Sequence, residues 1–128
     1  EEEMEKMAQD IREMVNEFEK QRQMLMSVSM QKQQLQTSIN GLEVSLKELE
    51  NTKEEKVYKV AGSILVSRAT KEVKKELEEL KENQSLRLKT MDKQEKGLME
   101  KLTTLRTQIE STAKPSQPGD ATVISSKK

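Results

Sequence analysis

The chain of 128 residues carries 23 Asp and Glu against 23 Lys and Arg, with no Cys and no His. Carboxylates and amines in such number could serve acid–base catalysis or hold a divalent cation, so their spacing decides. Acid–base work needs a pair held in a pocket that shifts proton affinities. Here the carboxylates are spread along polar helix faces, and no spacing brings two into a predicted pocket. The alternating oxygen ligands of a calcium loop are missing too. Without His there is no imidazole base or imidazole ligand. Without Cys there is no thiol nucleophile, disulfide framework or Cys-based zinc site. The expectation is a protein that is not an enzyme and uses no cofactor or metal.

The charges cancel to a net of zero, so no strong field favours nucleic acid or an anionic membrane. Base stacking would need aromatic residues, and only Phe18 and Tyr58 are present. The longest mostly apolar stretch, 60–66, falls far short of the ~20 residues that span a bilayer. The start Glu1-Glu2-Glu3 has the wrong sign for a secretory signal. No nucleic acid, no membrane and a cytoplasmic location are expected.

What remains is recognition by apolar side chains, and the elements that carry them are readable. Hydrophobic residues make up 32% and charged residues 36%, against about 45–50% and ~25% in average domains. Such a chain cannot wrap an ordinary core; with 4 Gly and 2 Pro it suits long, solvated helices. Stepping by three and four from Met4 visits Met7, Ile11, Met14, Phe18, Gln21, Leu25, Val28, Lys32, Leu35, Ile39, Leu42, Leu46 and Leu49. Only Gln21 and Lys32 among these are polar. A 3.5-residue apolar repeat keeps one stripe turned to a partner helix, the coiled-coil pattern. The spacing predicts a helix over about 3–51, ~70 Å long.

Past Asn51-Thr52 the pattern turns strand-like. Residues 56–67 are rich in β-branched types around Gly62-Ser63. Gly at the first loop position suits a type II′ hairpin turn, which needs positive φ there. In that register Val60 faces Leu65 and Lys59 faces Val66. Tyr58, Val60 and Leu65 then share one face; Val57, Ala61, Ile64 and Val66 share the other. A lone two-stranded hairpin is marginal in water. Apolar on both faces, this one needs strands that the chain does not hold.

A second helix is expected over about 70–112, with Thr70 as its cap and Glu72 in its first turn. Its stripe reads Val73, Leu77, Leu80, Gln84, Leu88, Met91, Glu95, Leu98, Leu102, Leu105 and Ile109, with a stutter at Leu80–Gln84–Leu88. Two long stripes joined by a short connector fold back antiparallel. The fold class is therefore mostly α: a long antiparallel two-helix coiled coil joined by one β-hairpin. Residues 1–112 form one domain, and 113–128, holding both prolines, read as a disordered tail.

The hairpin Val57-Tyr58-Lys59-Val60-Ala61-Gly62-Ser63-Ile64-Leu65-Val66, followed by Thr70-Lys71-Glu72-Val73 and later by Met91-Asp92-Lys93-Gln94-Glu95-Lys96, resembles the β-type subunits of the prefoldin family, nearest the archaeal form. The likeness covers about 31–110. Family α-type subunits carry two hairpins between their helices; this chain has one. The resemblance implies a heterohexamer of two α-type and four β-type chains, with all hairpins joined in a β-barrel platform. It also implies coiled-coil tips that hold unfolded client proteins without ATP and pass them to a group II chaperonin.

Six of the eight methionines lie in the first 30 residues. Met is flexible and polarisable, so a surface rich in it accepts varied partners. If Leu49 packs near Val73, facing residue numbers sum to about 122. Phe18 then meets Leu105, Met14 meets Ile109, and Met4 falls opposite the stretch beyond Pro115. The first helix would overhang the second, leaving Met4 and Met7 without a partner. Client binding is accordingly expected at Met4, Met7, Ile11, Met14, Val15, Phe18, Leu105 and Ile109. Subunit assembly is expected at Val57, Tyr58, Val60, Ile64, Leu65 and Val66. Gln21, Lys32, Gln84 and Glu95 read either as register markers or, more plainly, as tolerated half-exposed residues; Lys32 and Glu95 lie close enough to pair. A purely structural coiled-coil scaffold is the alternative, though it has no use for a hairpin apolar on both faces.

Overall fold

A computed structural model of the chain describes residues 1–113, so the tail expected over 113–128 lies, past Ala113, outside the described residues. Four elements follow one another: helix α1 (Glu2–Asn51), strand β1 (Lys56–Ala61), strand β2 (Ile64–Ala69) and helix α2 (Thr70–Ala113). The described residues divide into two compact units, one of residues 27–95 and one of 1–26 with 96–113.

In the unit of 27–95 the two helical segments run antiparallel. Four cross-helix pairs fix the register. Ser29 Oγ donates to Glu95 Oε2 at 2.6 Å, and Lys32 Nζ lies 2.7 Å from Asp92 Oδ1. Glu43 meets Lys81 at 3.4 Å, and Glu50 meets Lys74 at 3.9 Å. Facing numbers in each pair sum to 124, two more than the seam alone suggested. Ile39, Leu46 and Met91 are buried here, at the places where the 3–4 spacing predicts knobs. The α2 stripe departs from expectation at one residue. Leu80 is 44% exposed, whereas Lys81 lies half-buried one position on. The stripe through Leu77, Lys81, Gln84 and Leu88 steps by four, three and four, so no stutter occurs at Gln84. A lysine can line a seam because its methylene stem packs while its ammonium reaches out, here to Glu43.

The strands pair antiparallel with Val60 opposite Leu65 and Lys59 opposite Val66. Gly62 has φ of +61°, and no non-glycine residue among those described has positive φ. Ser63 therefore sits at negative φ, which fits a II′ turn and excludes I′. The strands run to Ala69, and α2 begins at the next residue. Thr70 ties this junction: its backbone N–H donates to Glu55 O at 2.8 Å and its hydroxyl to Glu54 O at 2.7 Å.

In the other unit, Leu98 is buried and Leu102, Leu105 and Ile109 are half-buried. The facing stripe of Ile11, Met14, Phe18, Gln21 and Leu25 is half-buried as well.

Candidate functional surfaces

The described residues carry open grooves lined mostly by polar and charged side chains. No group of three or more acidic side chains among them is spaced to hold a metal ion. No described helix is long and apolar enough to cross a membrane. Two exposed surfaces stand out.

The first is the N-terminal stretch of α1 with the last described turns of α2. Met4 and Met7 expose 74% and 49% of their surface, and Val15 is exposed beside them. Ile11, Met14 and Phe18 continue the same stripe but are half-buried, as are Leu105 and Ile109 on α2. A groove lined by Asp10, Glu13, Met14, Glu17, Leu105, Gln108 and Thr112 brings together Met14 of α1 and Leu105 of α2. Its rim is acidic. Seam cover therefore fades from Phe18 toward Met4, which places flexible thioethers in water.

The second surface is the hairpin. Tyr58, Val60 and Leu65, on one face, expose 70%, 72% and 66%. On the opposite face Val57 is half-buried and Val66 is 37% exposed, with Ile64 near the turn more open. Among the described residues each strand has one neighbour only, so each also presents a free edge of N–H and C=O groups.

Two features escaped the sequence reading. One is an ionic contact across the strand–helix junction. The guanidinium of Arg68, at the end of β2, donates to Glu76 and lies 3.6 Å from Glu72, both on α2. The bond from Arg68 holds the Glu76 carboxyl below its ordinary range. The only sequence signal was a pair of glutamates, four and eight residues after the arginine near the strand's end. The other feature is the exposure of Val44, Leu86 and Met99 off the seam, which adds to Met24, Met26 and Met30 of the methionine-rich first stretch.

The Lys32 pairing that spacing allowed is present. Its ammonium contacts Asp92 and, at 2.8 Å, Glu95. These bonds, Asp92 first, push its pKa up to about 12. Gln21 and Gln84 are less well served: the amide oxygen of each is buried with no partner.

Comparison with known proteins agrees with this architecture. The family model described as Prefoldin subunit matches residues 1–115. A prefoldin subunit beta of Thermococcus kodakarensis is 32% identical over 117 residues, covering 91% of this chain and all of that relative. One of Archaeoglobus fulgidus is 31% identical over 106 residues, 82% of this chain and 91% of the relative. The crystal structure of the prefoldin beta subunit from Thermococcus strain KS-1 superposes with a TM-score of 0.76 at 32% identity, covering 84% of this chain and 95% of that one.

Proposed function

The chain belongs to the prefoldin family, and from that premise we propose that it is a β-type chaperone subunit that holds unfolded proteins without ATP and delivers them to a group II chaperonin in the cytoplasm. Membership of the family carries assembly with other prefoldin subunits. The finer reading is two α-type and four β-type chains, joined through the hairpins in a β-barrel. Residues 1–112 supply the working parts, the hairpin for assembly and the far ends of the helices for clients.

One observation carries the client reading: the apolar stripe that is buried or half-buried along most of α1 emerges into water at Met4 and Met7. Exposed apolar surface on a polar protein marks a place of interaction. Thioethers on rotatable stems adapt to many shapes, which a holder of non-native chains requires. Each such contact is weak, so holding depends on several tips meeting one client, where avidity adds ~10²–10⁴ in affinity. The hairpin supports assembly by its exposed Tyr58, Val60, Ile64 and Leu65, with Val57 and Val66 behind them.

The test is light scattering from a denatured, aggregating client. The chain, assembled with the α-type subunit of its own organism, should suppress aggregation with no nucleotide present. A complex that assembles yet leaves aggregation unchanged would leave only the scaffold reading.

A further inference from the structure

We propose that Arg68 is a positioning residue that locks the hairpin against α2 and so selects the Tyr58–Val60–Leu65 face as the one offered to neighbouring subunits. The inference rests on the assembly reading above and adds to it a choice between the two apolar faces.

The junction needs such a lock. β2 ends at Ala69 and α2 starts at Thr70, so one peptide link joins strand to helix. Thr70 pins the base of the hairpin to Glu54 and Glu55. Those bonds lie at the pivot and fix position better than direction. Arg68 reaches past the pivot, to Glu72 and Glu76 on the first two turns of α2. A planar guanidinium with several fixed donors holds two carboxylates in one geometry better than a point charge does. Lys59, two positions from Val57 on the same face, adds attraction toward Glu76.

The consequence is a hairpin with unequal faces. The Arg68 face is turned to its own helix, and its Val57 and Val66 are the less exposed valines. The far face keeps Tyr58, Val60 and Leu65 two-thirds exposed or more. Strands from other subunits can cover that face only if every hairpin presents it alike. An exposed ion pair is worth at most about fivefold in an equilibrium. Pre-orientation compounds across each hairpin that must join, so a small bias per chain becomes a large one for the assembly.

Two measurements test this. The chain has no cysteine, so Ser63→Cys with Glu82→Cys accepts two nitroxide labels, and dilution into unlabelled chain isolates distances within one molecule. Arg68→Ala should widen the label–label distribution at least twofold; Arg68→Glu with Glu76→Arg should narrow it again. Unchanged width in Arg68→Ala overturns the lock. In parallel, Arg68→Ala should lower the assembled fraction with the α-type subunit about fivefold or more at limiting concentration, and the charge swap should restore it. A wider distribution with full assembly overturns the role in presentation. Failure of the unaltered chain to assemble would instead contradict the assembly reading, with the label result still deciding the lock.

Discussion

Lys32 and Glu95, both on the apolar seam, meet diagonally across the two helices at 2.8 Å. Ser29 donates to the same carboxylate, and Asp92 accepts a second hydrogen bond from the ammonium. A polar layer of this kind fits only one alignment of the helices, because any slip separates the charges. Hydrogen bonds from Lys32 and then Ser29 hold the Glu95 carboxyl below its ordinary value. Its stabilising contribution is therefore present above the usual carboxylate range and lost as pH falls through and below it. Lys32, raised to about 12, contributes fully below its ordinary value and loses that only in strong base. Melting wild type beside Lys32→Met should show a difference that is constant at neutral pH and shrinks on acidification. A difference unchanged from pH 7 to pH 3 would contradict the pairing.

Leu46 and Leu80 are both leucines of the helical faces, but one is buried and the other 44% exposed. Leu46→Ala should cost about 2–4 kcal/mol in denaturant unfolding, the price of a cavity in a thin core. Leu80→Ala should cost under ~1 kcal/mol. Equal losses would put Leu80 back on the seam.

These contrasts show what spacing alone can and cannot reveal. Ile39, Leu46 and Met91 were legible because burial along a helix pair follows the 3–4 repeat directly. The hairpin register was legible because Gly62 is the residue that accepts positive φ, which fixes every pair behind it. Lys81 was not, since its type reads as polar while its stem packs like an apolar one. The choice of register between facing sums of 122 and 124 lay in polar pairs, not in the apolar pattern. The contact from Arg68 to Glu72 and Glu76 depends on the angle between strand and helix, which no local pattern encodes. For the tip, the facing-number arithmetic already leaves Met4 and Met7 without a partner, and both are exposed.

Gln84 sits on the α2 seam with its amide oxygen buried and unpartnered. A buried acceptor that loses water without gaining a donor costs about 1–3 kcal/mol. Gln84→Leu should accordingly raise unfolding stability by roughly 1 kcal/mol. A loss of stability would mean that the oxygen has a partner in the assembled protein.

Leu65 stands two-thirds exposed on the open face of the hairpin. Leu65→Asp should bury an unpaired carboxylate wherever strands of other subunits cover it, at a cost of several kcal/mol. Sedimentation should then show dissociated chains whose far-ultraviolet helicity is largely retained. An intact assembly carrying Leu65→Asp would remove the hairpin from the interface.

Client protection by a complex lacking residues 1–14 tests the central claim most directly. The deletion removes Met4, Met7, Ile11 and Met14 and leaves the hairpin and the buried Ile39, Leu46 and Met91 untouched. The truncated chain should still assemble, and its suppression of client aggregation in light scattering should fall at least severalfold at equal concentration. Full protection by an assembled, truncated complex would contradict client binding at the α1 tip.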